Sequence, residues 1–143
     1  MRLPALVVSA AMLAAVTAAS ADPIADRKEI MKDRSAEMKV LAPIAQGKAP
    51  FDAATVLAEL EKMNANAMKT DVDALWPAGS DKGDTKSSPK IWEDMAGFKA
   101  AMDKFKADAA AAAAAKPQDL QSFQQVFGAV ASNCGACHQK YRL

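Results

Sequence analysis

Seven residues near the C-terminus, Leu120, Phe123, Phe127, Val130, Cys134, Cys137 and Tyr141, are spaced three, four, three, four, three and four apart. That alternation is the period of a helix with one buried seam, and a strand would scatter the seven over both faces. Both cysteines therefore fall on a stripe that other elements must cover.

The rest of the chain supplies those elements. Ile24, Met31, Met38 and Ala45 recur every seven residues with Leu41 beside them, and Gly47 is a suitable stop, so a first helix is expected from about 24 to 46. Pro43 falls near its end, where it can bend or shorten it. Asp52 is a candidate N-cap, with Phe51 as a staple, for a second helix to about 70 carrying Val56, Leu57, Leu60, Met63 and Ala67. From Asp71 to Ser87 the pattern fails, and a surface loop anchored by Leu75-Trp76-Pro77 is expected. Ser88-Pro89 opens a third helix with Ile91, Met95, Phe98, Met102 and Phe105 on one face. The alanines from Ala109 to Ala115 prolong it at little entropic cost unless they form a low-complexity linker, and Pro117 should end it and open the fourth.

Four amphipathic helices with short first and third connections bury their stripes most simply as an antiparallel up-down-up-down four-helix bundle. The expected fold class is all-α, with one domain over 22–143, because so short a chain has room for one modest core.

Residues 1–21 stand apart. Arg2 gives a positive start, the run from Ala5 to Val16 is apolar, and Ala19-Ser20-Ala21 fits a small-residue cleavage site, so a secretory signal peptide cleaved after Ala21 is expected. The run is too short to span a bilayer, so export to the periplasm without a membrane anchor is expected. Without Arg2, 17 basic residues face 17 acidic ones, a neutrality that argues against a nucleic-acid partner.

In Cys134-Gly135-Ala136-Cys137-His138, the order Cys-x-x-Cys-His is the attachment signature of haem c. On a helix the two thiols lie one turn apart and His138 shares the face of Cys134, so both thiols can add to the haem vinyl groups while the imidazole reaches the iron. A disulfide between the cysteines would leave His138 incidental. Zinc would need further Cys or His ligands, and His138 is the only histidine. A thiol-disulfide enzyme without haem usually carries its Cys-x-x-Cys beside a strand of an α/β fold.

Cys134-Gly-Ala-Cys137-His138-Gln-Lys-Tyr141-Arg142 at the end of a four-helix chain resembles the class II cytochromes, the cytochrome c′ family. Arg27 with Met31, Ala45-Gln46-Gly47, Phe51-Asp52 and Ser88-Pro89-Lys90-Ile91-Trp92 extend the likeness in order along nearly all of 22–143. The resemblance implies one covalent haem c per chain on Cys134 and Cys137, with His138 as axial ligand. It also implies haem propionate contacts for Arg27 and Lys28, haem packing by Trp92, and an arginine near the axial histidine at Arg142.

In that family the residue matching Met31 faces the iron opposite the histidine, and it is either a sixth ligand or a mere wall of an open pocket. Glu29-Ile30-Met31-Lys32-Asp33 through Met38-Lys39-Val40-Leu41 resembles the low-spin branch, which implies Met31 as the sixth ligand. Register agrees: Met31 lies about 10 Å into the first helix and His138 about 6 Å from the end of the antiparallel fourth, one end layer for both. Met38 would be about 10 Å deeper, while Met63, Met68 and Met95 also fall toward that end. The expected function is one-electron transfer with periplasmic redox partner proteins, as a monomer or homodimer and not as an enzyme. A five-coordinate haem binding nitric oxide or carbon monoxide is the alternative.

Overall fold

The computed structural model describes residues 22–143, and the expected signal peptide lies outside the described residues. The chain folds into α1 (Pro23–Ala45), α2 (Ala53–Met68), the single turns α3 (Val72–Leu75) and α4 (Lys90–Glu93), α5 (Met95–Ala115) and α6 (Leu120–Tyr141). The four long helices close a ring in which α1 packs on α2 and α6, and α5 packs on α2 and α6. Their antiparallel order is fixed by cross-links between opposite ends. Asn66 in the last turn of α2 donates to the Ile30 carbonyl in the first half of α1 and accepts from Arg34 at the middle of α1, which also reaches Thr70 just past α2, and Gln124 early in α6 donates to the Ala45 carbonyl at the end of α1. The expected four-helix bundle is the architecture observed. No helix among the described residues is long and apolar enough to cross a membrane.

Local chemistry sets the ends of the elements. Asp22, Asp52 and Asp119 each accept a hydrogen bond from the first turn of their helix, and Asp119 with Ser122 forms a reciprocal capping box. Gly47 stops α1 at φ 69°, a backbone angle that glycine adopts without steric cost. The alanine run is helical to Ala115, where Lys116 at φ 45° breaks it; Pro117 is buried in the connection, and α6 starts at Leu120.

Apolar side chains fill two clusters. Leu41, Leu60, Met63, Phe105, Phe123, Phe127 and Val130 belong to the larger, with Phe123 fully buried and stacked on Phe127 at 5.2 Å. The smaller gathers Val72, Leu75, Trp76, Ile91, Phe98, Met102 and Tyr141 at the end where α1 begins and α6 finishes, and Cys137 packs against it.

The expected third helix is two. Its apolar spacing runs on through Met95, but Asp94 leaves helical geometry at φ −133°, ψ 55°. The Asp94 carboxylate caps α5 at Gly97 and accepts from Lys140 and from the Tyr141 hydroxyl. These donors hold its pKa down at about 2, the Lys140 and Tyr141 bonds first. A carboxyl more acidic in the folded than in the unfolded chain stabilises above its unfolded pKa and loses that contribution as pH falls toward the folded value. Acid unfolding followed by circular dichroism should therefore lose, in an Asp94→Asn variant, the component between about pH 4 and pH 2. An unchanged acid limb would contradict this.

Candidate functional site

The helix that carries Cys134, Cys137 and His138 is continuous through the motif. Both thiols are free and half-buried, and Cys134 Sγ points back toward the Val130 carbonyl at 3.8 Å. Burial raises both thiol pKa values, and the nearby Arg34 charge only partly opposes it. A thiol-disulfide enzyme needs a lowered thiol pKa, so the environment runs against that alternative. His138 moves the other way: desolvation first, then the charges of Arg142 and Arg34, lower its pKa. The shift favours the neutral imidazole, the form that coordinates a metal.

Arg27, Met31 and Arg34 are spaced four and three apart on α1 and share one face. Arg27 and Arg34 are buried and Met31 is half-buried. The other methionines are placed differently: Met63 lies in the larger core and Met38 packs against it, Met95 packs against the smaller cluster, and Met68 is exposed.

Arg27 is an internal peg. Nη1 donates to the Leu75 carbonyl at 2.8 Å and to Ser80 Oγ at 2.9 Å, and Nη2 donates to the Ser80 carbonyl at 2.9 Å and to Thr85 Oγ1 at 3.4 Å. The guanidinium lies 5.4 Å from the Trp76 ring and 5.9 Å from the Trp92 ring. Its Nε is buried without a partner, the one nitrogen left for a further acceptor. Lys28 is exposed and paired with Asp84 at 2.5 Å. Trp92 is half-buried against the smaller cluster, its indole N–H donating to the Pro77 carbonyl at 3.1 Å. Tyr141 is buried beside Phe98 at 5.1 Å, whereas the side chain of Arg142 is exposed.

Four residues of this end escaped the reading of the sequence. Arg34 is 7 % exposed; its Nε donates to Asn66 Oδ1 at 2.7 Å, its Nη2 to Thr70 Oγ1 at 2.5 Å, and its guanidinium sits 4.4 Å over the Phe105 ring. Glu37, one turn on, is buried with Oε2 unpartnered. The seven-residue steps from Arg27 to Arg34 to Leu41 were the available signal.

A helical pair of free thiols followed by a neutral imidazole, beside a half-buried thioether and an unpartnered buried arginine nitrogen, is a donor set that fits haem. The family profile described as Cytochrome C′ matches residues 22–142. The chain belongs to the cytochrome c′ family. Covalent haem c is the cofactor of that family, as the motif led one to expect.

Among its relatives in this family, cytochrome c-556 of Agrobacterium fabrum is 37 % identical over 124 residues, covering 87 % of this chain and 83 % of the relative. Cytochrome c′ of Rhodopseudomonas palustris is 40 % identical over 127 residues, covering 87 % and 84 %. A solved cytochrome c′ from Rhodopseudomonas palustris superimposes with a TM-score of 0.78 at 38 % identity over 87 % of this chain and 98 % of that one. Cytochrome c′ of Shewanella frigidimarina does so with 0.77 at 32 % identity over 84 % and 93 %. A more distant cytochrome c′, 26 % identical with a TM-score of 0.76, is described as having a ligand-controlled dimer dissociation; it covers 87 % of this chain and 98 % of its own.

Proposed function

We propose that the chain is a periplasmic haem protein with one haem held by thioether bonds from Cys134 and Cys137 and ligated through His138. Its distal face takes a small gaseous ligand such as nitric oxide or carbon monoxide. The observation that carries the haem is the exposed end of α6, where two free thiols one turn apart precede the imidazole of His138 on one continuous helix. The open distal face is supported by the cytochrome c′ relatives and neighbours. When bound, the haem supplies one-electron redox chemistry and a gas-binding iron. The chain's part is to fix the histidine on a rigid helix, to exclude water with the Trp76, Phe98 and Tyr141 cluster, and to present the Arg27, Met31 and Arg34 face. Arg27 Nε and Lys28 are the propionate donors of this reading, and Trp92 packs at the haem edge. Electron transfer and gas binding need no turned-over substrate, and in this reading the protein is not an enzyme.

A second reading makes Met31 the sixth ligand and the protein a pure electron carrier passing single electrons to periplasmic redox partner proteins. It is favoured by the half-buried thioether between two buried arginines on the inward face of α1. Thioether ligation would favour ferrous iron and leave no open position.

One set of absorption spectra separates them. High-spin ferric and ferrous bands that shift on adding carbon monoxide fit the open site, and low-spin methionine-ligated bands in the unmutated protein would overturn it in favour of the carrier. In that second case Met31→Ala should turn the iron high spin and create carbon monoxide binding, and retention of the low-spin bands would mean that another methionine is the ligand. Met38→Ala should keep the ligand set and lower stability by less than the roughly 2–5 kcal/mol of a fully buried site.

A further inference from the structure

Buried cations are costly unless something holds them, and a cation is the last side chain that core packing would choose. Arg34 is such a group, and it stands on the stripe of α1 that also carries Arg27 and Met31. It has two neutral hydrogen-bond acceptors, Asn66 and Thr70 of α2, and the face of Phe105 of α5. Among the described residues, no carboxylate oxygen lies within salt-bridge distance of it. The charge is therefore fixed in place and not cancelled where it sits.

We infer that Arg34 sets the reduction potential of the haem iron upward, as a permanent positive charge held by α2 and α5 on the face of α1 turned toward Cys134, Cys137 and His138. The inference rests on the haem reading above. Its geometric basis is the register with Met31, the burial, and the three-sided hold. The helix that carries it packs directly against α6, the helix of the motif.

With haem bound by Cys134, Cys137 and His138, reduction by the small-molecule mediators of a redox titration would add one electron, with no bond formed or broken, and lower the positive charge of the site by one. A nearby fixed cation destabilises the more positive ferric state more than the ferrous one, and a low local dielectric preserves the effect. Glu37 lies one turn on along the same helix, with Asp33 directly before Arg34, and Glu59 and Lys62 of α2 act on Glu37. Burial, then Glu59 and Asp33, push its pKa up to about 7, so below neutrality its counter-charge is largely removed.

The test is a mediated redox titration of the haem-loaded protein at pH 6, with the absorption spectrum and thermal unfolding recorded for each variant. Arg34→Gln and Arg34→Met remove the charge and should lower the equilibrium constant for reduction about tenfold, a midpoint about 59 mV more negative. Arg34→Lys keeps the charge but loses the two-nitrogen hold, so its melting temperature should fall while its midpoint stays within a twofold change of the original. Asn66→Ala leaves the charge count alone and frees the guanidinium toward solvent, so the midpoint should fall with it by a smaller factor even if the Arg34 variants do not retain haem. A shift below twofold in the neutral variants overturns the inference. So does a lysine variant that shifts as far as they do, or, where the neutral variants hold no haem, an unmoved Asn66→Ala midpoint. An unmutated protein without a haem spectrum would instead overturn the haem reading, and this inference with it.

Discussion

With Cys134 and Cys137 both replaced by serine, the purified protein should carry no haem that survives acidified organic solvent, whereas the unmutated protein should keep its red colour in the protein fraction. The loss is complete because only these two thiols can form thioether bonds; they are the only cysteines in the chain. What remains is one bond from His138, exposed on the last turns of α6, and packing against the small cluster around Trp76, Phe98 and Tyr141. A single-cysteine variant should retain colour through one thioether, with a shifted absorption band. His138→Ala should stay red after extraction yet show an altered ligand field. Colour that resists extraction in the double variant would sink the attachment, and colour extractable from the unmutated protein would sink it as well.

Covalent attachment was legible because it is local: five consecutive residues on a helix carry their geometry with them. The α6 seam was legible for a related reason, since all its positions but the two thiols and Tyr141 are apolar and Phe123, Phe127 and Val130 are indeed buried. The inward face of α1 was misjudged. Ile24, Met31, Met38 and Ala45 are only half-buried, while Arg27, Arg34, Glu37, Leu41 and Ile44 are the residues turned inside. Three of those five are charged, so a search for apolar periodicity lands one step aside; partners more than thirty residues away, Asn66, Thr70 and Ser80, make the burial of the two arginines tolerable. The break at Asp94 was hidden likewise, because its cause is a tertiary link to Lys140 and Tyr141 and not a helix-breaking residue.

Arg27→Ala should lower the unfolding free energy by about 2–4 kcal/mol, since it strips buried carbonyl groups of their donors, at about 1–3 kcal/mol for a buried group left unmade. The Leu75 and Ser80 carbonyls, the Ser80 hydroxyl and Thr85 Oγ1 all accept from this one guanidinium. They belong to the irregular segment between α2 and α4, whose only helical turn is α3. The Trp76 and Trp92 rings would also lose the cation they face, worth about 0.5–2 kcal/mol. Lysine should rescue little, because a single ammonium cannot reach acceptors spread over both ends of a planar fork. Denaturant unfolding measures the loss, and hydrogen exchange localises it: amides of residues 71–89 should exchange faster while those of α5 and α6 keep their rank order. If Arg27 served the haem propionates alone, the midpoint potential would move while unfolding and loop exchange stayed unchanged, and a loss under about 1 kcal/mol, the ordinary cost of a surface change, would show that the loop is held by other contacts.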